Sequence, residues 1–340
     1  MSRSNKPYIL AAAGVVIVTL SELAAAQTSG ATSGSTSGAT SGVSGIAVST
    51  ESAAATQLIS VTSLRQMLTI SNALSARTMT RTGPGMTADA GQRFGMAAGG
   101  ADDKWNVWTS LSGDRNTYDN GVSRFGASAS NWVLGGDYAL TPTVNLGLSV
   151  AADAVDGSGG LKGAQSTYSS AGYTFAPYVG WQFSKDWSLD GTLGWGEGDF
   201  TSGGTTNQKR VFYGANLNYA QWYGNWQLSG KGSYLYGEEK YDNAQKNKVD
   251  QWRIGGQAAY WMDGLMPYVG LAYSNDSRSN PNIPGAAQTD DLGKSAWLWS
   301  LGLNFISIKN SATGGIVYSS ESGRSHSKSQ NLMANINLRF

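Results

Sequence analysis

The chain has no cysteine and a single histidine, His326. That alone excludes disulfides, thiolate nucleophiles, thiolate zinc sites and paired-histidine metal sites, and with them most hydrolytic and metal chemistry. Charge is scarce as well: 24 basic and 23 acidic side chains make up 14% of 340 residues, where about 25% is ordinary for a soluble domain. A net charge of +1 lacks the basic footprint of a nucleic-acid binder. No stretch offers the roughly 18 consecutive apolar residues of a membrane helix, so a helical membrane protein is excluded too. In place of charge stand Ser, Thr, Asn, Gln and 45 glycines. So few charges would invite association in water, and the profile suits a chain part of whose surface faces something else.

The N-terminus is organised as an address. Arg3 and Lys6 precede an apolar run over residues 9 to 20, and Ala24, Ala25 and Ala26 stand before Gln27. That order predicts a cleavable secretory signal over residues 1 to 26, since about a dozen apolar residues are too few to anchor a helix in a bilayer. Residues 27 to 50 are dominated by Gly, Ser, Thr and Ala, and read as a disordered tether. In residues 51 to 82, Leu58, Ile59, Val61, Leu64, Leu68, Ile70, Leu74 and Met79 recur at mostly helical spacing. The spacing predicts an amphipathic helix that ends before Gly83-Pro84-Gly85, with residues 83 to 103 as a linker.

From residue 104 onward the period changes to two, and this part holds all 12 Trp, 15 of 16 Tyr and 7 of 8 Phe. Trp226, Leu228, Gly230, Gly232, Tyr234 and Tyr236 alternate with Gln227, Ser229, Lys231, Ser233 and Leu235; Trp187, Leu189, Gly191, Leu193 and Trp195 alternate with Ser188, Asp190, Thr192 and Gly194. Each such run is a pleated strand with unlike surroundings on its two faces. About twelve strands follow, with cores near 105–113, 129–141, 144–155, 170–184, 187–198, 209–222, 226–239, 249–262, 266–275, 295–307, 313–320 and 330–340. Short turns alternate with longer polar links at 114 to 128, 156 to 169, 199 to 208, 240 to 248 and 275 to 294, as in a chain zigzagging across a membrane with loops on one side. The expected fold is all-β, a transmembrane antiparallel barrel of about twelve strands over residues 104 to 340, preceded by a short helix.

A soluble lipocalin-like barrel would put its bulky face inward, whereas here small polar residues crowd one face and Trp and Tyr the other. Trp187, Trp226 and Tyr138 near the short turns, and Tyr118, Phe200 and Tyr241 near the outer links, are expected to form interfacial girdles. Inward parity assigns Asp137, Asp190, Lys231 and Arg253 to the lumen, where mixed-sign charges can pair, hold a helix or set an ion preference.

The last segment places Leu332, Ala334, Ile336, Leu338 and Phe340 on one face and stops at the aromatic, like the signal by which bacterial outer-membrane insertion machinery accepts barrels. With Trp108 and Gly113 in the first strand, about twelve strands, a helix-prone segment before them and the terminal Phe340, the sequence resembles the translocator, or β-domain, of classical autotransporters. In that family the helix threads the barrel and joins it to an exported passenger. The resemblance implies that residues 51 to 82 plug or line the pore, with Gln57, Arg65, Gln66, Asn72 and Arg77 meeting lumenal groups. Only residues 27 to 50 are left for a passenger, and Asn72 is followed by Ala73, so the Asn-Asn cleavage pair of some members is missing.

No catalytic or cofactor motif competes with this. His326 in the last outer link lacks the His-x-Ser spacing of outer-membrane lipid hydrolases, because position 328 is Lys. Asp102-Asp103 and Asp290-Asp291 fit no EF-hand, and Gly157-Ser158-Gly159-Gly160 fits no P-loop. The chain is expected to be a non-enzymatic, monomeric protein of the bacterial outer membrane, without metal or cofactor and without nucleic-acid partners. Its expected partners are outer-membrane lipid, lipopolysaccharide and the barrel insertion machinery. The expected function is to translocate or display a reduced N-terminal segment through a polar lumen. The alternatives are a passive porin-like channel and a surface-binding protein that uses its outer loops.

Overall fold

The computed structural model describes residues 67 to 72, 104 to 242, 246 to 279, 293 to 307 and 312 to 340. The expected signal peptide, tether and linker, and most of the expected helix, lie outside these. Twelve strands follow one another, beginning with β1 (Trp105–Asp119), β2 (Ser123–Ala139), β3 (Val144–Leu161), β4 (Ala164–Trp181), β5 (Trp187–Thr201) and β6 (Thr205–Tyr223). The second half comprises β7 (Trp226–Tyr241), β8 (Lys246–Tyr260), β9 (Leu265–Ser279), β10 (Ser295–Ser307), β11 (Ala312–Ser322) and β12 (Ser327–Arg339). Each pairs antiparallel with its neighbours, and β12 returns to β1, closing a barrel. At the seam Trp108 stands opposite Gly135 on one side and Asn337 on the other. The Trp105 N–H donates to the Phe340 carbonyl (3.1 Å) and the Phe340 N–H to that of Trp105 (3.0 Å). Closure leaves no strand edge, so the backbone polar groups are satisfied without water, which a hydrocarbon environment requires.

The barrel is inside out relative to a soluble one. Outward Leu148, Leu193 and Ile254 are 52%, 57% and 61% exposed, while inward Asn106, Asn145 and Asn216 are 1–2% exposed. Aromatics bound the apolar surface in two rows. Trp105 with Tyr138, Trp187 with Tyr219 and Trp226 with Tyr260 (ring centroids 4.9–5.0 Å apart) lie toward the end that holds Trp105 and Phe340, the terminal end. Phe175 with Trp195, Tyr213 with Tyr236 and Trp299 with Tyr318 (5.1–5.5 Å) lie toward the distal end. From Trp226 to Tyr236 is about ten residues, which at ~3.3 Å each and ~40° of tilt gives a band about 25 Å tall, the height of a membrane barrel's apolar belt. Leu332, Ala334, Ile336, Leu338 and Phe340 fall on this outward face, along the seam with β1.

Two expectations are corrected. Tyr118, Phe200 and Tyr241 do not join the outer girdle; they turn inward. Tyr118 is an even number of residues from inward-facing Trp108, so the pleat puts both on one side, and nearness to a link does not override parity. The long outer links at 114 to 128, 156 to 169 and 199 to 208 are largely strand, with β1–β2, β3–β4 and β5–β6 joined only through residues 120–122, 162–163 and 202–204. Ladder hydrogen bonds are made by backbone, so polar hairpins go on pairing past the apolar band. At the β1–β2 tip the Gly121 N–H donates to Asp119 Oδ1 (2.9 Å) and the Val122 N–H to Asn120 Oδ1 (3.1 Å), Asx contacts that fix the turn. At the terminal end, Asp263 (φ +47°) and Gly264 (φ +95°) form the two-residue turn with positive φ at both positions that matches strand twist.

Candidate functional site: the barrel lumen

Inward rings lie flat on the wall because the facing strand offers glycine. A Cβ on Gly135 would sit 2.3 Å from the Trp108 ring, and one on Gly147 would sit 2.2 Å from that of Tyr178. Folding the rings aside leaves the barrel axis to residues 67 to 72, which are helical. Met67, Leu68 and Ile70 pack with Trp108, Val133, Tyr178, Phe212, Leu235 and Val249, and Thr69 and Ser71 are buried too. Such burial on all sides means the segment lies inside the barrel. Met67 Sδ occupies the space a side chain on Gly237 would take, 2.1 Å from the ideal Cβ, and Ser71 Oγ lies 3.0 Å from that of Gly214. Asn72 reaches the level of Ser229 and Lys231. Since β7 rises from the terminal to the distal end, the helix descends from distal to terminal as its residue numbers increase. Gln57, Arg65, Gln66 and Arg77 lie outside the described residues.

Polar clusters tie the wall together around the helix. Asp137 accepts from Asn106 Nδ2 (3.0 Å) and Tyr178 Oη (2.9 Å), and Tyr178 accepts in turn from Trp108 Nε1 (2.7 Å). Asp190 accepts from Asn216 Nδ2 (2.6 Å) and Asn218 Nδ2 (2.9 Å). Arg210 donates both terminal nitrogens to Asp153 (2.6 and 3.1 Å), and its Nε lies 3.8 Å from Glu239, which also accepts from Gln208 (2.6 Å) and Tyr241 (2.9 Å). Toward the distal mouth, Arg324 from the β11–β12 connection folds inward to Asp276 and Glu321, and donates to the Gly293 carbonyl (3.0 Å). Gln251 donates to Asp276 (2.6 Å) and accepts from Arg253 (3.2 Å). Above these, Tyr118, Phe125, Tyr168 and Phe200 form an inner aromatic layer with Val155.

Of the four lumenal charges read from parity, Asp137 and Asp190 thus sit in hydrogen-bonded clusters. Lys231 and Arg253 line a cavity of about 160 Å³ with Asn72. Sequence reading missed Arg210, Asp153 and Glu239, although all three sit on inward positions, and it missed Arg324, which carries no periodicity because it lies in a connection. His326, in the same connection (φ +59°), sets its ring against the edge of Tyr118, 6.3 Å away.

The same barrel occurs in solved proteins. The translocator domain of the autotransporter NalP from Neisseria meningitidis gives a TM-score of 0.57 at 11% identity, covering 70% of this chain and 89% of that one. The β-domain of the Bordetella autotransporter BrkA gives 0.56 at 12%, over 70% of this chain and 100% of that one. An outer membrane channel from Pseudomonas putida F1 gives 0.50 at 12%, over 71% and 97%. No family model and no curated protein sequence matches the chain. At these identities the likeness is one of fold: the chain has the barrel fold of autotransporter translocator domains, shared with a channel.

Proposed function

We propose that the chain is an outer-membrane barrel of autotransporter type that displays a reduced N-terminal segment, residues 27 to 50, at its distal mouth. The direction of the lumenal helix carries this reading. Met67 lies at the level of Gly237 and Asn72 at that of Lys231, so the chain runs toward the terminal end, where β1 begins. A chain arriving at Met67 in that direction comes from the distal side. With a signal peptide over residues 1 to 26 removed, the terminal end faces the periplasm and the distal end the exterior. The apolar band and its aromatic rows meet lipid and lipopolysaccharide, and β12 with Phe340 is what the insertion machinery recognises. The protein works as a monomer, without enzymatic turnover or cofactor: the lumenal carboxylates described serve hydrogen-bond clusters that join wall strands to one another. An epitope placed after Gln27 is expected to be cut by protease added to intact cells. Protection until the outer membrane is broken would sink the display reading.

The fold likeness to the Pseudomonas channel favours a second reading, a passive pore whose helix leaves the lumen. The two differ in what the helix does to ion flow.

A further inference from the structure

We infer that the outward face of β6–β8, just beyond the distal aromatic row, docks lipopolysaccharide by the phosphates of its lipid A. Lys209 stands opposite Lys240, and Lys240 opposite Lys246, so three ammonium groups form a row across three strands. Lys248 stands opposite Glu238, one pleat nearer the apolar band. Like charges directly opposite one another are destabilising, so such a row calls for anions. The wall supplies few. Glu238 pairs with both Lys240 (3.3 Å) and Lys246 (2.8 Å), while Lys209 reaches Glu197 only at 4.0 Å. At these two levels four lysines share two carboxylates. Asp250, opposite Tyr236, and Asp199, opposite Asn207, lie a pleat below and a pleat above the group. The Lys209 and Lys240 side chains are 68% and 64% exposed, open to a ligand from outside.

Depth selects the partner. Tyr213 and Tyr236 stack at 5.1 Å in the distal row. The levels of Glu238 and Lys240, two and four residues past Tyr236, lie about 5 and 10 Å beyond the tyrosines at ~3.3 Å per residue and ~40° of tilt. The polar layer of a bilayer is about 5–7 Å thick on each side. Lysine stems folded back over apolar Val211, one pleat below Lys209, set their ammonium groups within it. The charges therefore meet lipid headgroups, and the stacked rings below them meet acyl chains. Two other sectors carry no charge at that level: beyond Tyr173 come Ala171 and Ser169, and beyond Tyr318 come Ser320 and Ser322. An ammonium with three donors suits a phosphate. The inference rests on the reading that the distal end faces the exterior, where the leaflet is lipopolysaccharide.

The test is a titration of the full-length protein in detergent micelles with fluorescently labelled lipid A carrying both phosphates, read by anisotropy at constant ionic strength. Saturable binding is expected. Lys209→Gln, Lys240→Gln and Lys246→Gln should each weaken it about fivefold, and the triple variant about a hundredfold. Lys162→Gln at the distal tip, where Lys162 pairs with Asp119 at 3.1 Å, should leave it unchanged. Lipid A stripped of phosphate should bind the wild type no better than the intact lipid binds the triple variant. Inorganic phosphate should not displace the lipid. Heat-modifiable electrophoretic mobility certifies that each variant is a folded barrel. Equal binding of stripped and intact lipid, wild-type affinity in the folded triple variant, an equal loss in Lys162→Gln, or displacement by inorganic phosphate overturns the site. Binding in micelles does not depend on orientation in the cell, so a failure here is distinct from protection of the epitope after Gln27.

Discussion

Arg210 carries a full guanidinium with a wholly buried side chain, held by Asp153 and Glu239 from strands β3 and β7. Buried ion pairs gain little over an apolar replacement of the same shape, but removing one partner strands the others without water. Arg210→Met should therefore lower unfolding stability by about 3–5 kcal/mol. Adding Asp153→Asn and Glu239→Gln should restore much of the loss, because neutral amides need no countercharge. Denaturant titration followed by tryptophan fluorescence measures both, and failure of the triple variant to recover would mean that the arginine acts through packing. At this scale the sequence is half legible. Parity alone puts Arg210, Asp153 and Glu239 inside, since each shares a face with small or aromatic inward neighbours. Nothing local says that they meet: residues 153, 210 and 239 come together only when the strands between them are paired in register.

At the scale of the strand, alternation is legible because a hydrocarbon exterior and a wet interior impose opposite demands on successive residues. Strand ends are less so. Where β1 and β2 leave the apolar band, Ser128 and Thr117 carry no exterior demand, and the hairpin goes on pairing on backbone hydrogen bonds alone. Which residues sit at mid-depth follows from register: outward Leu148 pairs with Pro177, midway between the rows of Trp181 and Tyr173. Leu148→Arg should cost about 2–4 kcal/mol in folding from urea into lipid, whereas Leu140→Arg, in the β2–β3 turn, should cost about 0–1. Leu148 and Leu140 are similarly exposed, 52% and 59%, so a surface meeting water on all sides would treat the two changes alike. Equal costs would remove the membrane from the description of this face.

For the whole molecule, the question is whether the helix stays in the lumen when the barrel sits in a bilayer. Contact between Met67 and the bare backbone of Gly237 gives a way to ask it that deletion alone does not. Removing residues 51 to 82 should raise single-channel conductance severalfold if the helix is a resident plug, and leave it unchanged if the pore is already open. Deletion, however, also removes whatever the segment does during assembly. Gly237→Leu leaves the chain intact and fills the space that Met67 Sδ takes, so the helix must shift or leave and conductance should rise. In the helix-deleted chain the same leucine projects into an empty lumen, and conductance should fall slightly. The sign of one substitution therefore reverses with the presence of the helix. A leucine that narrows both chains alike would place the helix outside the conducting path and leave a passive channel as the better account.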